Sequence, residues 1–301
     1  MLTIFCIPKP FEGHNGMIQI NAIRSWTKLY PTCEIFLCSN DPKLPEIATA
    51  LGVKFVSDIS TNEFGTPVLR SVFKKVMNEA SFPLLCYVNA DIIFFNDLLN
   101  SVKRIPYNKF LAIGRRTNLH IDYFINYNEV DWETKLKNYA QKNGSFAGID
   151  WIDFFVFPLD INIDEFPPFI VGRPRWDNWF IINARKHGYQ VIDITLSCMV
   201  VHENHGYSHI PKARGKLWEG PESLYNQKLF IDAIGDNPSS GSLYDSTKIL
   251  TKHMIFPAIS PKHLLQRFIT ASLFIPRLHN IRRIIILLKD KIKLVTLKTK
   301  N

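Results

Sequence analysis

The sequence predicts an α/β fold: a Rossmann-like mixed sheet flanked by helices, followed by a helical, basic C-terminal tail. Two observations predict it. In the first half, short apolar runs alternate with segments whose apolar residues recur every three or four positions. The charge is also unevenly laid out. The chain carries a net +9, and residues 261–301 account for all of it, with ten Lys or Arg against Asp290 alone.

Taken in order, LTIFCI (2–7), EIFLCS (34–39), VKFV (53–56) and PLLCYV (83–88) read as strands. Helices are expected near Ile18–Leu29, near Lys43–Leu51 with Asp41 as N-cap, and near Pro67–Ala80. Such alternation implies a mostly parallel sheet with right-handed crossovers, and ligands bind such sheets outside the carboxyl ends of the strands. The ends to watch are Pro8–Pro10, Ser39–Asp41, Ser57–Asp58 and Asn89–Asp91. Further on, KFLAIG (109–114), IDFFVF (152–157), QVIDI (190–194) and SCMVVH (197–202) read as strands, with helices over 132–141 and 176–187. Short helices are expected to predominate after Glu222. The division expected is a catalytic domain over 1–250 and a basic, amphipathic extension over 251–301.

Bulk composition narrows the function. A hydrophobic content of 46% with 21% charged residues is that of a globular chain. Outside the tail the charge is balanced, so the body has no field for a nucleic acid. MLTIFCIPKPF has neither the basic start nor the apolar stretch of a signal peptide, and no apolar run reaches about 18 residues. Five cysteines without metal-type spacing read as small buried hydrophobes of a reducing cytoplasm.

Four constellations can carry chemistry. In YVNADIIFF (87–95), Asp91 lies between two apolar runs. A carboxylate there must be capped, paired or metal-bound, and a hard oxygen ligand suits Mg²⁺ or Mn²⁺ on a diphosphate. A cap for the helix near Asp97 is the alternative. In VGRPRWDNW (171–179), Asp177 opens a helix as an N-cap would. Arg173 and Arg175 beside it suit phosphates or acidic sugars, and Trp176 and Trp179 suit a pyranose face. In VVHENHGYSH (200–209), three histidines follow a strand without zinc spacing, and a strand-end histidine can complete an octahedral metal site. In GIDWIDFFVF (148–157), Asp150, Trp151 and Asp153 suit an acceptor sugar, or are simply a polar loop entering a strand.

With these pieces in this order, the chain resembles GT-A glycosyltransferases near family 2. More narrowly it is similar to a bacterial set of GT-A-like proteins sharing IPKPF…IQINAIRSW, NEFGTP, CYVNADII, RWDNW and HENHGYSH, over roughly residues 2–250. The resemblance implies a nucleotide-sugar donor, an inverting transfer, and Mn²⁺ or Mg²⁺ as cofactor. It implies Asp177 as catalytic base and Asp91 with His202 as metal ligands. Pro8, Lys9, Asn40, Asp41, Asp58, Arg70, Asn89 and Ala90 are expected on the donor. Asp150, Trp151, Asp153, Arg173, Arg175, Trp176, His205 and Lys212 are expected on the acceptor or its phosphates. One position departs: Asn89 stands where the metal motif has its first acid, and an amide is the weaker ligand.

The tail, LLQRFITASLFIPRLHNIRRIIILLKDKIKLVTL, mixes apolar and basic residues and is expected to form amphipathic helices broken at Pro276. Such helices lie on an anionic membrane surface, which suits a cytoplasmic enzyme acting on a lipid-linked acceptor, or else pack on the body. Two rival functions stay open: a sugar nucleotidyltransferase, whose Gly-rich triphosphate loop residues 8–20 lack, and an inactive sugar-binding module.

Overall fold

The computed structural model describes residues 1–204, 218–235 and 241–275. Its first half is built from β1 (Leu2–Cys6), α1 (Gly13–Thr27), β2 (Glu34–Cys38), α2 (Leu44–Leu51), β3 (Lys54–Val56), α3 (Leu69–Glu79) and β4 (Leu84–Val88). The chain continues through β5 (Ile92–Phe94), α4 (Asp97–Val102), β6 (Phe110–Ile113), β7 (Thr117–Leu119), α5 (Trp132–Asn143), β8 (Ser145–Phe146) and β9 (Phe154–Pro158). It ends with α6 (Trp176–Lys186), β10 (Gln190–Asp193), β11 (Val200–Glu203), α7 (Pro221–Ile234), β12 (Lys248–Leu250), β13 (Ile255–Pro257) and α8 (Pro261–Ala271).

Among the described residues the main sheet runs β13-β12-β10-β6-β9-β4-β1-β2-β3, with β9 and β13 antiparallel to their neighbours and the other pairs parallel. This is the mixed, helix-flanked α/β sheet expected. Its central strands are apolar on both faces, as buried strands must be. Along β1, Phe5 faces one core while Leu2, Ile4 and Cys6 face the other. Tyr87 and Cys86 of β4 divide in the same way, as do Phe155 and Phe154 of β9. Helix α3 covers the first face with Leu69, Val72, Phe73 and Val76, spaced for one stripe. Phe73 lies among the rings of Phe5, Tyr87, Phe157, Phe166 and Phe180 at 5.1–5.8 Å, so much of the aromatic content is core.

A second sheet, β5-β11-β7-β8, stands beside the first. The chain passes between the sheets at Asn89–Asp91, directly from β4 into β5. That turn is therefore held at both ends by buried strands.

Several expectations need correcting. Asp41 does not cap α2: the cap position is Lys43, and Asp41 Oδ1 instead accepts the Lys43 amide in a preceding turn. Helices predominate after Glu222 among the described residues, as expected, but the unforeseen strands β12 and β13 lie between α7 and α8. Apolar stretches as short as KIL and IFP carry no readable period, and sheet pairing forms them. This hairpin crosses residue 250, so 255–257 belong to the main sheet. Helix α8 packs back on the body, with Thr270 donating to the buried Asp245 carboxylate. All five cysteines are free and buried. No helix of the described residues is long and apolar enough to cross a membrane, and residues 276–301 lie outside them.

Candidate functional site

The carboxyl ends of β1, β2 and β4, the start of α6 and the N-terminal half of α8 surround a cleft of about 1220 Å³. That exceeds the roughly 300–1,000 Å³ of a single small-molecule pocket.

Asp91 and His202 meet there by strand register. Strand β11 runs antiparallel to β5, with His202 opposite Ile92, and the Glu203 amide donates to the Asp91 carbonyl. His202 Nε2 lies 3.7 Å from Asp91 Oδ2. One divalent ion about 2.1 Å from each atom spans that separation. No group of three His, Cys, Asp or Glu among the described residues can hold a metal. The pair fits an ion that takes its other ligands from substrate phosphates and water, the usual habit of Mg²⁺.

Asn89, the apparent defect of the metal motif, has a structural reason. Its Nδ2 donates to Asp153 Oδ1 at 2.7 Å, and Arg116 Nη1 donates to Asp153 Oδ2 at 2.6 Å. Both oxygens of Asp153 are thus engaged, and it anchors the Asn89 turn to β9 and β7. Asp153 also lines the cleft. An aspartate at 89 would set two carboxylates against each other. Asn89→Asp is accordingly expected to lower the unfolding temperature without tightening Mn²⁺ binding. The double variant Asn89→Asp/Asp153→Asn, with the donor moved across, is expected to recover most of the loss. Thermal unfolding and Mn²⁺ titration of the three proteins check this.

Asp177 occupies the first turn of α6 and lines the same cleft. Its Oδ1 is shut off from solvent and has no hydrogen-bond partner among the described residues. Burial, reinforced by the negative charge of Asp153, raises the carboxyl to about 7; backbone amides and Arg175 oppose the rise. Arg175, two residues earlier at the N-cap of α6, sits in the left-handed region at φ +89, a conformation that costs an L-residue about 1–3 kcal/mol. Gly241 supports this turn: its carbonyl accepts from Asn178 Nδ2, and a Cβ there would lie 2.1 Å from the Asn178 carbonyl oxygen at a φ of +82. Gly241→Ala is expected to cost at least about 2 kcal/mol in urea unfolding, since backbone cannot yield as a flexible side chain would.

The other expected residues divide. Pro8, Lys9, Asn40, Asp41, Ala90, Asp150, Trp151, Arg173, Arg175 and Trp176 line the cleft with Asn89 and Asp153. Lys9 is clamped by Gln19, which bonds both its amide and its carbonyl. Burial lowers its ammonium pKa, and Asp91 opposes this. Within the cleft the Asn40 amide is bonded to the Ile59 backbone, and Arg173 is ion-paired with Glu222. Asp58 and Arg70 do not line the cleft. Strand β3 is the sheet edge, and Asp58 turns outward to Lys75. Trp176 packs its ring on Tyr87 and Phe155, and Trp179 packs on Phe166, so these are core rings, not exposed platforms. His205 and Lys212 lie outside the described residues.

Sequence reading missed Arg116, Gln19, Trp218, Tyr244 and Gln266, all of which line the cleft. Arg116 had a signal, since it follows the carboxyl end of β6 and the strand-end rule reaches it. The others come from a helix face and from segments brought in by tertiary packing.

No family model matches the chain, and no curated protein matches it. Solved structures do. The chain is similar to M. tuberculosis glucosyl-3-phosphoglycerate synthase, at 12% identity over 79% of this chain and 82% of that one, with a TM-score of 0.45. It is similar to S. aureus TarS 1–349 in complex with UDP-GlcNAc, at 7% identity over 77% and 71%, with a TM-score of 0.48. It is also similar to GalNAc-T7 with UDP, GalNAc and Mn²⁺, at 12% identity over 77% and 48%, with a TM-score of 0.47. At such scores the likeness is one of chain path, and the chemistry has to come from the site itself.

Proposed function

We propose that this chain is a GT-A-type glycosyltransferase that moves a sugar from a nucleotide-sugar donor to a glycan or lipid-linked acceptor with inversion. One observation carries the reading. A single cleft holds Asp91 beside His202, and also a shielded carboxylate, Asp177, whose pKa is raised to about 7. The first pair suits a diphosphate and the last suits a general base.

Asp177 takes the proton of the acceptor hydroxyl. That oxygen's electron pair forms the bond to the anomeric carbon as the bond to the diphosphate oxygen breaks, and its electrons leave with the nucleoside diphosphate. A divalent ion held by Asp91 and His202 would supply charge to the leaving group. Lys9, fixed by Gln19, brings a second positive charge to that end. The Arg116–Asp153–Asn89 chain keeps Asp91 in place. A base with a pKa near 7 is ionised in a useful fraction at neutral pH and still strong enough to take a proton. The kcat/KM profile is therefore expected to rise through about pH 7 and to lose that limb in Asp177→Asn.

The test is product analysis. The protein is incubated with UDP-, GDP-, CDP- and dTDP-sugars and Mn²⁺, and the released nucleotide is identified. Release of a nucleoside diphosphate supports the reading. Formation of a nucleoside triphosphate when pyrophosphate is added would assign a nucleotidyltransferase instead. No turnover and no binding of any donor would remove the enzyme reading. The basic tail is proposed to hold the protein on an anionic membrane surface at the inner face. Equal flotation of full-length and 1–275 proteins with phosphatidylglycerol vesicles would discard that idea.

A further inference from the structure

Two tryptophans that line the cleft share an arrangement. Trp151 and Trp218 are 50% and 48% exposed, whereas the core rings Trp176 and Trp179 are 6% and 2% exposed. Each half-exposed indole has an arginine over its ring. The Arg116 guanidinium carbon lies 5.0 Å from the Trp151 centroid, and that of Arg175 lies 4.7 Å from the Trp218 centroid. Both arginines are themselves fixed. Arg116 is tied to Asp153 and Asn118, and Arg175 is half-buried, with its guanidinium also 5.3 Å from the Phe230 ring. A cation over an indole occupies one face and restrains the ring. An indole fixed in this way and still half exposed offers a rigid apolar surface to whatever enters the cleft. Large aromatic side chains left open to water in a concave site signal a ligand, because covering them is favourable and nothing among the described residues covers them.

The positions of the two rings say which ligand. Trp151 precedes β9 and Trp218 precedes α7. The rings neighbour the base through their arginines: Arg175, over Trp218, feels the charges of Asp177 and Asp150, and Arg116, over Trp151, pairs with Asp153, whose charge reaches Asp177. They lie on the base side of the cleft, where an acceptor approaches. The same cleft is lined by groups that bond hydroxyls: the Asp150 carboxylate, the Gln266 amide and the Tyr244 phenol. Flat apolar faces sharing a cleft with hydroxyl-bonding groups match a pyranose, which has an apolar C–H face and an equatorial rim of hydroxyls. A nucleobase would need its polar edge read as well. The size of the cleft also fits more than a donor alone.

We infer that Trp151 and Trp218 form a two-ring acceptor platform, so that the acceptor is a glycan of at least two pyranose units rather than a single sugar, a protein side chain or a bare lipid phosphate. The inference rests on the glycosyltransferase reading of the same cleft. A stacking platform reads the ring face and not the linkage, so it binds more than one oligosaccharide.

The test uses cellotriose, chitotriose, maltotriose and α1,6-mannotriose, with glucose as the single-ring control. Each is titrated into the full-length protein, with UDP, GDP, CDP and dTDP each present in turn with Mn²⁺. Tryptophan fluorescence and saturation-transfer NMR follow binding. At least one trisaccharide is expected to bind at least about tenfold more tightly than glucose. Trp151→Ala and Trp218→Ala are each expected to weaken it about tenfold, and Trp→Phe to restore most of it. Nucleotide affinity is expected to stay within twofold in all four variants. Both rings are half exposed, so the alanine variants are expected to fold, and circular dichroism checks this. Binding of none of the four trisaccharides while a nucleotide binds would overturn the platform and leave the transferase reading standing. Trisaccharide binding without any nucleotide binding would keep the platform and remove the transferase reading. Loss of nucleotide affinity in Trp218→Ala would assign that ring to the donor base and overturn the inference.

Discussion

Replacing Asp177 with Asn is expected to lower turnover by about 10³-fold while leaving nucleoside diphosphate affinity within about twofold. The amide keeps the shape of the side chain but cannot take the acceptor proton. The same change is expected to stabilise the fold. Asp177 Oδ1 is shielded and has no hydrogen-bond partner among the described residues, and burial raises the carboxyl from the ordinary 3.8 to about 7. Its folded pKa is therefore raised, so the native state holds this proton where the unfolded chain has lost it. Stability falls as pH rises from about 4 to about 7, by at most about 1.4 kcal/mol per unit, and the loss is complete above that window. The variant lacks this loss. Its advantage over the natural protein should thus grow from pH 4 to pH 7 and then level off. Asp193, Glu203 and Asp245 also carry raised carboxyl pKa values, but they are common to both proteins and cancel in the difference. Urea unfolding of the pair at pH 4.5, 6 and 8 measures it. A constant difference across the three would show that Asp177 ionises normally, and the base assignment would lose its physical support.

The largest stability effect is expected at Arg116. Its ion pair with Asp153 is buried, with 6% and 11% of the two side chains exposed. Removing one partner of such a pair costs about 3–5 kcal/mol, mostly through the charge left behind. Arg116→Ala would strand Asp153 and release the hold on Asn89. Unfolding is expected to shift by roughly 10 °C, and nucleotide affinity to fall along with metal affinity because Asp91 is two residues from Asn89. Arg116→Met/Asp153→Asn removes both charges, keeps an acceptor for Asn89, and is expected to return most of the stability. A single-variant loss below about 1 kcal/mol in urea would mean the pair is hydrated and does not position the turn.

How far the sequence carried these conclusions depends on the kind of signal. Strands β1, β2, β4 and β9 were legible because apolar residues on both faces leave few other folds for such short runs. Asp91, Asp177 and His202 were expected together from the resemblance to GT-A enzymes, and all three line one cleft. What was not legible was anything that depends on neighbours distant in the chain. Nothing local to Asp153 or Arg173 shows that Arg116 and Glu222 occupy them. Nothing in RWDNW distinguishes Trp176 and Trp179, which are core, from Trp218, which is open. Asp58 looked like a strand-end site residue, and only the order of strands reveals that β3 is the sheet edge. Asn89 is the most instructive case. Read alone it is a weakened metal motif; beside Asp153 it is the donor that a buried carboxylate requires.

The central claim is that the Asp91–His202 end of the cleft binds a nucleoside diphosphate through a divalent ion. The direct measurement is a thermal-unfolding titration with UDP, GDP, CDP and dTDP, with and without Mn²⁺, on the natural protein and Asp91→Asn. One nucleotide is expected to stabilise the natural protein by about 2.7 kcal/mol at a hundredfold excess over its Kd. The effect should require Mn²⁺ and be lost in Asp91→Asn. Stabilisation by none of the four, or stabilisation that survives both chelation and Asp91→Asn, would contradict the account.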